Sequence, residues 1–206
     1  MKVLLLNGSP NKDGCTFTAL SEVGKALTKN GIETEWFQLG TKPVHGCIAC
    51  RKCSELKACI FNDDICNDLA AKIREADGLV VGSPVYFSGP NGALCAVLDR
   101  VFYSSMGKFK HKPAACVVNC RRSGGTAAFE RLNKYFTYAQ MPVVSSQYWN
   151  VVHGFTPEHV EKDLEGLSVM RVLGNNMAWM LKCFNSGVPL PEKEEKRYMT
   201  NFHDGK

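Results

Sequence analysis

The stretch that decides the fold is Val3–Thr18, which reads VLLLNGSPNKDGCTFT. Its first five residues are mostly apolar, which predicts a strand buried on both faces. Glycine and proline then break the strand between positions 8 and 14, and an amphipathic run begins at Cys15. A loop between a strand and a helix N-terminus can direct backbone N–H groups at an anion. The sequence therefore predicts either a phosphate-binding loop or an ordinary turn with a Ser or Thr cap.

Short polar side chains in this stretch are the candidate phosphate ligands: Ser9, Asn11, Thr16 and Thr18. The loop lacks the Gly-Lys-Ser/Thr of a Walker loop and the G-x-G-x-x-G of a dinucleotide-binding fold. A phosphate bound here would therefore be held by a different arrangement of hydroxyl and N–H groups.

Length and composition indicate one globular domain, because the chain has 206 residues, 45% of them hydrophobic and 22% charged. The net charge of +5 is modest, and the basic run Lys108–Lys112 is typical of a solvated surface. Nucleic-acid binding is therefore not expected. The N-terminus does not resemble a signal peptide, and no apolar run approaches the roughly 20 residues that span a bilayer. We expect a cytoplasmic protein that binds no membrane.

Strand and helix patterns alternate along the chain, which predicts a parallel α/β sheet with right-handed crossovers. The predicted strands are residues 3–7, 32–39, 78–82, 114–119 and 142–146, the last extended by 148–152. The predicted helices are 15–30, 64–76, 92–103, 127–139 and 158–184, with loops at 40–63 and 83–91. We expect a single domain over 1–185 with a cysteine-rich insertion at 44–63. An extended C-terminal tail over 186–206 should wrap the surface or a partner subunit.

Loops rich in glycine and serine follow the first, third and fourth predicted strands. Because the carboxyl ends of parallel strands share one edge, we expect these loops to converge. In the second loop, Tyr86–Phe87 offers flat apolar surface to a ligand, or packs in the core. Glycines in the third loop, at 119–126, permit close approach of the backbone to a ligand. Arg121–Arg122 in that loop either offsets negative charge on a ligand or faces water.

Two of these loops carry a family resemblance. GSPNKDGCTFT at 8–18, with GSPVYFSGPNGALCAVLDR at 82–100, resembles the flavodoxin-like NAD(P)H-dependent FMN reductases over essentially the whole chain. The resemblance implies a flavodoxin-like, doubly wound, five-stranded parallel sheet of order 2-1-3-4-5, with FMN at its carboxyl edge. The FMN-binding residues that it implies are Ser9, Asn11, Cys15, Thr16, Phe17 and Thr18, then Pro84, Val85, Tyr86, Phe87 and Ser88, then Asn119, Arg122, Gly124 and Gly125. Cys15 is a difference, since relatives often carry asparagine there.

Four of the ten cysteines form the run Cys47-x2-Cys50-x2-Cys53-x5-Cys59. In a reducing compartment, such crowding is more typical of metal ligands or buried thiols than of disulfides. The compact spacing favours a [4Fe–4S] cluster, with zinc or free thiols as alternatives. Cys66 could replace Cys59 as a ligand. The run also resembles that of the iron–sulfur flavoproteins, which implies a cluster that passes electrons between a carrier such as ferredoxin and the flavin, often across a subunit interface.

No acid–base pair is evident in the sequence, and none is needed, because flavin N5 carries the hydride or electron chemistry. We therefore expect an FMN-dependent oxidoreductase that moves electrons from NAD(P)H or ferredoxin to a small acceptor. One alternative is a cluster-free NAD(P)H-dependent reductase of flavins, quinones or azo compounds. Another is a non-catalytic electron carrier like a flavodoxin. The resemblance implies a homodimer or homotetramer.

Overall fold

The computed structural model describes residues 1–191, Glu195 and Tyr198. The strands in this part of the chain are β1 (Lys2–Asn7), β2 (Glu33–Gln38), β3 (Gly78–Tyr86), β4 (Gly89–Pro90), β5 (Ala114–Cys120) and β6 (Val151–His153). The helices are α1 (Cys15–Lys29), α2 (Cys53–Leu56), α3 (Cys66–Glu75), α4 (Gly92–Ser104), α5 (Gly125–Tyr138), α6 (Pro157–Lys162) and α7 (Leu164–Phe184).

Five parallel strands form the central sheet in the order β2-β1-β3-β5-β6. When the short antiparallel β4 is left out of the numbering, this is the predicted order 2-1-3-4-5. The doubly wound topology is therefore confirmed. β1, β3 and β5 are adjacent and parallel, so their carboxyl ends lie side by side at one edge of the sheet.

Helices cover both faces of the sheet. Leu4 and Leu6 of β1 pack with buried residues of α3, α4 and α5 on one face. Val3 and Leu5 pack with α1 and α7 on the other. Alternate side chains of a strand point to opposite faces, so the apolar run Val3–Leu6 within β1 is what two helical layers require. No helix in the described residues is long and apolar enough to cross a membrane.

The second predicted loop is in part a β-hairpin, because β3 continues past Gly82 to Tyr86 and pairs with β4. The turn between them is Phe87–Ser88, whose φ angles are +49° and +61°. Two central residues with positive φ define a type I′ turn, which suits the twist of paired strands. The sequence prediction of a loop over 83–91 was wrong here because this turn lacks the usual Asn-Gly signal.

The C-terminal elements also differ from prediction. Within 142–152, Val143 forms only an isolated bridge to Ala114, and the strand begins at Val151. The helix predicted over 158–184 is two helices, because Asp163 leaves the helical conformation and accepts a hydrogen bond of 2.9 Å from the Gly166 N–H. The predicted tail over 186–206 lies outside the described residues from 192 onward, apart from two single residues, and its boundary stays a prediction.

Candidate functional site

Two amide side chains at strand ends hold the loop that follows β1. The Nδ2 of Asn7 donates to the carbonyl oxygens of Asn11 and Lys12 over 3.2 and 3.1 Å. The Oδ1 of Asn7 accepts from the Ser9 N–H at 3.1 Å. Gln38 of β2 donates to the Ser9 carbonyl at 2.6 Å and accepts from Asn7 at 2.8 Å. These bonds fix the loop backbone around Ser9 within the protein itself.

The N-terminus of α1 follows this loop and suits an anion. Gly14 precedes it in an extended conformation, and in the described part of the chain no side chain caps the helix and no acidic residue lies in its first turn. Thr16 is buried, and the Thr18 hydroxyl donates to the Gly14 carbonyl at 3.4 Å. Burial raises the pKa of the Cys15 thiol, which favours its neutral form. Free helical N–H groups beside neutral polar side chains are the usual components of a phosphate site.

Asn91 joins the first loop to the hairpin loop. Its Nδ2 donates to the Gly8 carbonyl at 2.9 Å, and its Oδ1 accepts from the Ala93 N–H at 3.0 Å, which caps α4. Its own N–H donates to the buried Ser83 hydroxyl at 3.0 Å. The Gly8 N–H also donates to the Gly82 carbonyl at 2.9 Å. The two loops are therefore bonded to each other directly.

The third loop, between β5 and α5, packs against the hairpin turn. Gly124 has a φ of +86°, and a Cβ on it would stand 2.8 Å from the Ser88 Cα. Only glycine fits this approach, since both the φ angle and the space disfavour a side chain. Arg121 and Arg122 are exposed at the tip of the loop. The buried Asn119 amide donates to the Gly154 carbonyl at 3.2 Å and so ties the loop after β6 to this edge.

The structure thus places the three predicted loops at one edge of the sheet. The residues that it gathers there are Ser9, Asn11, Cys15, Thr16 and Thr18, the hairpin residues Pro84, Val85, Tyr86, Phe87 and Ser88, and Asn119, Arg122, Gly124 and Gly125. Phe17 lies beside them, and its ring packs on Trp36 with 4.7 Å between ring centroids. Phe87 is fully exposed, so its side chain is not a core residue. The contact of each residue with FMN stays a prediction.

The cysteine-rich insertion folds against α4 with little regular structure besides α2. The walls of one cavity there include all four thiols of the predicted ligand run, Cys47, Cys50, Cys53 and Cys59. The cavity encloses about 30 Å³ and has Cys47 and Cys50 exposed at its surface. Across the described residues, no three His, Cys, Asp or Glu side chains are grouped to hold a single metal ion. The sequence run has therefore brought its thiols to one place without forming a single-ion site.

The cysteine cavity is separate from the three loops at the sheet edge. It contacts α4 at Arg100, Tyr103 and Ser104, whereas the helix begins beside the loops at Gly92. Eight residues of helix correspond to about 12 Å along its axis. The predicted flavin and thiol sites are therefore two centres linked by one rigid helix.

Arg100 is a buried cation on the wall of the cysteine cavity. Its Nη1 donates to Asp64 and, at 3.2 Å, to the His45 carbonyl, while its Nε donates to the Cys59 Sγ at 3.1 Å. The side chains of Arg100 and Asp64 are 1% and 2% exposed. Burial opposes ionisation of Asp64, but hydrogen bonds from Arg100 and from backbone N–H groups outweigh it and hold the Asp64 pKa below its usual range. The pair is therefore ionised at neutral pH.

His45 and Cys66 border the cavity without lining it. The His45 ring lies 3.0 Å from a carboxylate oxygen of Asp63 and stacks on Phe61, as suits a loop residue rather than a ligand. Cys66 is fully buried at the start of α3, and burial raises the pKa of its thiol to about 12. Cys59, which lies on the cavity wall, is the better placed of the two as a thiolate ligand.

Several residues that build these sites escaped the sequence prediction: Asn7, Gln38, Asp64, Asn91 and Arg100. A polar residue at the end of an apolar strand was a signal for Asn7. A charge among the apolar positions of α4, next to Val97 and Val101, was a signal for Arg100. Each of these residues has a hydrogen-bond partner that is distant in sequence. Hydrophobic periodicity describes only neighbours along the chain and does not reveal such pairs.

Comparison with known proteins gives the family. Residues 1–156 match the model of the family described as NADPH-dependent FMN reductase. An iron–sulfur flavoprotein of Methanocaldococcus jannaschii is 33% identical over 190 residues, which cover 88% of this chain and 98% of that protein. An FMN-dependent NADPH-azoreductase of Staphylococcus saprophyticus is 34% identical over 134 residues, which cover 65% of this chain and 66% of the relative.

A solved structure supports the fold. A flavodoxin, WrbA-like protein from Agrobacterium tumefaciens matches with a TM-score of 0.61 and 14% identity, over 88% of this chain and 97% of that one. The parallel sheet, its strand order and this likeness agree on a flavodoxin-like fold. The chain belongs to the NADPH-dependent FMN reductase family, in its iron–sulfur flavoprotein branch, and is an oxidoreductase.

Proposed function

We propose that this oxidoreductase binds FMN across the three loops and a [4Fe–4S] cluster at Cys47, Cys50, Cys53 and Cys59. In this proposal, NAD(P)H or reduced ferredoxin supplies electrons and a small molecule accepts them. The observation that carries it is the pairing of two sites on one chain. One is a phosphate-type loop at a helix N-terminus, and the other is a cavity walled by four thiols.

The three loops have the chemistry that FMN requires. The N-terminus of α1, with Ser9, Thr16 and Thr18, would hold the phosphate dianion. The hairpin at Tyr86–Phe87 and the glycine-rich third loop would enclose the flat ring. Bound FMN supplies hydride or single-electron transfer at N5, so the residues of the protein bind, orient and exclude water. No side chain is assigned as an acid or a base.

The donor set at the second site fits an iron–sulfur cluster. Each thiolate of a [4Fe–4S] cluster binds a different iron, so the four sulfurs need not meet at one point. This agrees with four thiols that share a cavity but form no single-ion site in the described residues. Arg51 has a φ of +58° and Lys52 is right-handed helical, and such a pair of residues can aim its N–H groups at an anion.

Two further proposals concern the compartment and the oligomeric state of the protein. None of the ten cysteines forms a disulfide, as is typical of a reducing compartment, and we propose the cytoplasm. Electron transfer between the cluster and a flavin across a subunit interface is what the resemblance to the iron–sulfur flavoproteins implies. We therefore propose a homodimer or homotetramer, with a small molecule as the electron acceptor.

A second candidate is a cluster-free reductase that takes hydride from NAD(P)H and reduces quinones or azo compounds. The similarity to an azoreductase favours it over a non-catalytic carrier. In that case the four thiols would have no part in turnover.

Donor specificity distinguishes these functions. Anaerobic turnover of a quinone and an azo dye should be measured with NADPH, NADH and reduced ferredoxin, for wild type, Cys59→Ser and the control Cys183→Ser, an exposed thiol on α7. We expect Cys59→Ser to lose turnover from ferredoxin and Cys183→Ser to keep it. Equal turnover of all three proteins from NAD(P)H, with none from ferredoxin, would support the cluster-free reductase. Absence of turnover with every donor would support the carrier.

A further inference from the structure

Arg100 has one guanidinium nitrogen to which the described residues offer no hydrogen bond. Its Nη1 and Nε donate to Asp64, to the His45 carbonyl and to the Cys59 Sγ. Its Nη2 is buried and has no hydrogen-bond partner among the described residues. A buried, unpartnered N–H of a charged group lowers the stability of the folded protein. Such an atom indicates that something else completes the site.

The position of Arg100 indicates what that is. Its side chain is 1% exposed and forms part of the wall of the cavity that the four cysteines share. Its guanidinium carbon lies 5.3 Å from the centroid of the Phe61 ring. Asp64, two residues before α3, forms an ion pair with it. Phe61 and Asp64, which are not predicted ligands, therefore hold a guanidinium that forms part of the wall of the thiol cavity.

We propose that Arg100 is a positioning residue for the iron–sulfur cluster. It holds the Cys59 sulfur in place through Nε, and its Nη2 donates to a sulfur of the cluster. This inference rests on the proposed function, and it adds a residue that neither the cysteine spacing nor the family resemblance includes. The ligand chemistry that it needs is an anionic sulfur centre, which a guanidinium recognises through charge and hydrogen bonds.

Arg100 would then set the electron affinity of the site. Each electron taken from an external donor adds one negative charge to the cluster, and no atom is gained or lost. A fixed cation and two N–H···S hydrogen bonds stabilise the more negative state, so Arg100 raises the reduction potential. Asp64, which pairs with the guanidinium, opposes this effect with its negative charge. Loss of the Arg100 hydrogen bonds and loss of the Asp64 charge should therefore shift the potential in opposite directions.

The test is an anaerobic redox titration of reconstituted protein, followed by electron paramagnetic resonance for the cluster and by absorbance for FMN. Arg100→Lys keeps the charge and loses the fork that reaches both sulfurs. We expect it to retain iron and to favour the oxidised cluster about tenfold, a downward shift of about 59 mV for one electron. Asp64→Asn should shift the potential upward, and the FMN potentials should not change in either variant.

Arg131→Lys is the matched control. Arg131 also pairs with a carboxylate, Asp99, at 3.5 Å and lies over an aromatic ring, Tyr135, at 4.9 Å, but it does not line the thiol cavity. The cluster potential of Arg131→Lys should equal that of wild type. An unchanged potential in Arg100→Lys would overturn the inference alone. If Arg100→Lys does not fold, the test rests on Asp64→Asn. A cluster potential in that variant that is equal to or lower than that of wild type would overturn the inference. Wild-type protein that takes up no iron would overturn the proposed cluster and this inference together.

Discussion

The Asn91 side chain donates a hydrogen bond of 2.9 Å to the Gly8 carbonyl oxygen, across 83 residues of sequence. This bond joins the loop after β1 to the start of α4. The same side chain accepts from the Ala93 N–H and so caps the helix. One residue therefore fixes both the proposed phosphate loop and the helix that leads to the cysteine cavity.

Asn91→Ala should weaken FMN binding and lower stability together. It removes a helix cap, which costs about 1 kcal/mol, and leaves the buried Gly8 carbonyl without its donor, which costs about 1–3 kcal/mol. The control is Asn30→Ala, which removes a side chain with two hydrogen bonds at the C-terminal end of α1. Fluorescence titration of FMN and urea unfolding measure both effects. Equal FMN affinities in the two variants would contradict the role of Asn91.

Gly124→Ala tests the contact between the third loop and the hairpin. Positive φ costs alanine about 1–2 kcal/mol, and the added Cβ would meet the Ser88 backbone at 2.8 Å. Gly31→Ala is a matched control, because Gly31 has a φ of +77° and nothing within 4 Å of such a Cβ. Both variants should lose stability, but we expect only Gly124→Ala to weaken FMN binding, by about tenfold or 1.4 kcal/mol. Unaltered FMN affinity in Gly124→Ala would show that this loop does not contact the cofactor.

Phe87→Gly tests the exposed tip of the hairpin. Phe87 holds a positive φ although its side chain is fully exposed, so its conformation is not explained by core packing. Glycine adopts this φ freely, and we expect no loss of stability. The KM for a quinone acceptor should rise by about threefold or more, a loss of about 0.7 kcal/mol, if the ring borders the flavin. Trp179→Ala removes another exposed aromatic, on α7, and should leave the KM unchanged.

Asp64 should make the protein sensitive to acid. A carboxylate with a lowered folded pKa contributes its full stability above its ordinary pKa of about 3.9 and loses it as pH falls through the lowered value. Asp64→Asn should therefore lower the free energy of unfolding at neutral pH by about 3 kcal/mol. Between about pH 5 and pH 2, the free energy of unfolding of Asp64→Asn should fall less steeply than that of wild type. Urea unfolding over this range measures both, with the exposed Asp68→Asn as the control. If the free energy of unfolding of Asp64→Asn falls with decreasing pH as steeply as that of wild type, the lowered pKa of Asp64 is contradicted.

Local patterns in the sequence were sufficient to predict a parallel α/β sheet. The apolar run in β1 and the three-and-four spacing in α1 predicted elements that the structure has within a residue or two. The convergence of the loops then followed from topology, since strands that are adjacent and parallel must end together. The parallel sheet and the positions of the three loops were therefore predictable from the chain itself, whereas the strand order was implied by the family resemblance.

Long-range side-chain contacts were not predictable in the same way. Asp64 and Arg100 are 36 residues apart, and each alone is typical of an exposed helix surface. The hairpin turn at Phe87–Ser88 was missed because positive φ is unusual for these residues, and Pro84 and Gly89 read as a loop. Both misses lie in segments that carry the proposed chemistry, where tertiary contacts override local preference.

The central claim is that one chain holds both FMN and an iron–sulfur cluster. The direct measurement is the content of FMN, iron and acid-labile sulfide in anaerobically purified protein, with its absorbance spectrum. The account predicts one FMN, about four iron and four sulfide per chain, and a brown protein with a broad absorbance band at about 400 nm. Yellow protein with FMN and no iron or sulfide would contradict the cluster, and protein without FMN would contradict the account as a whole.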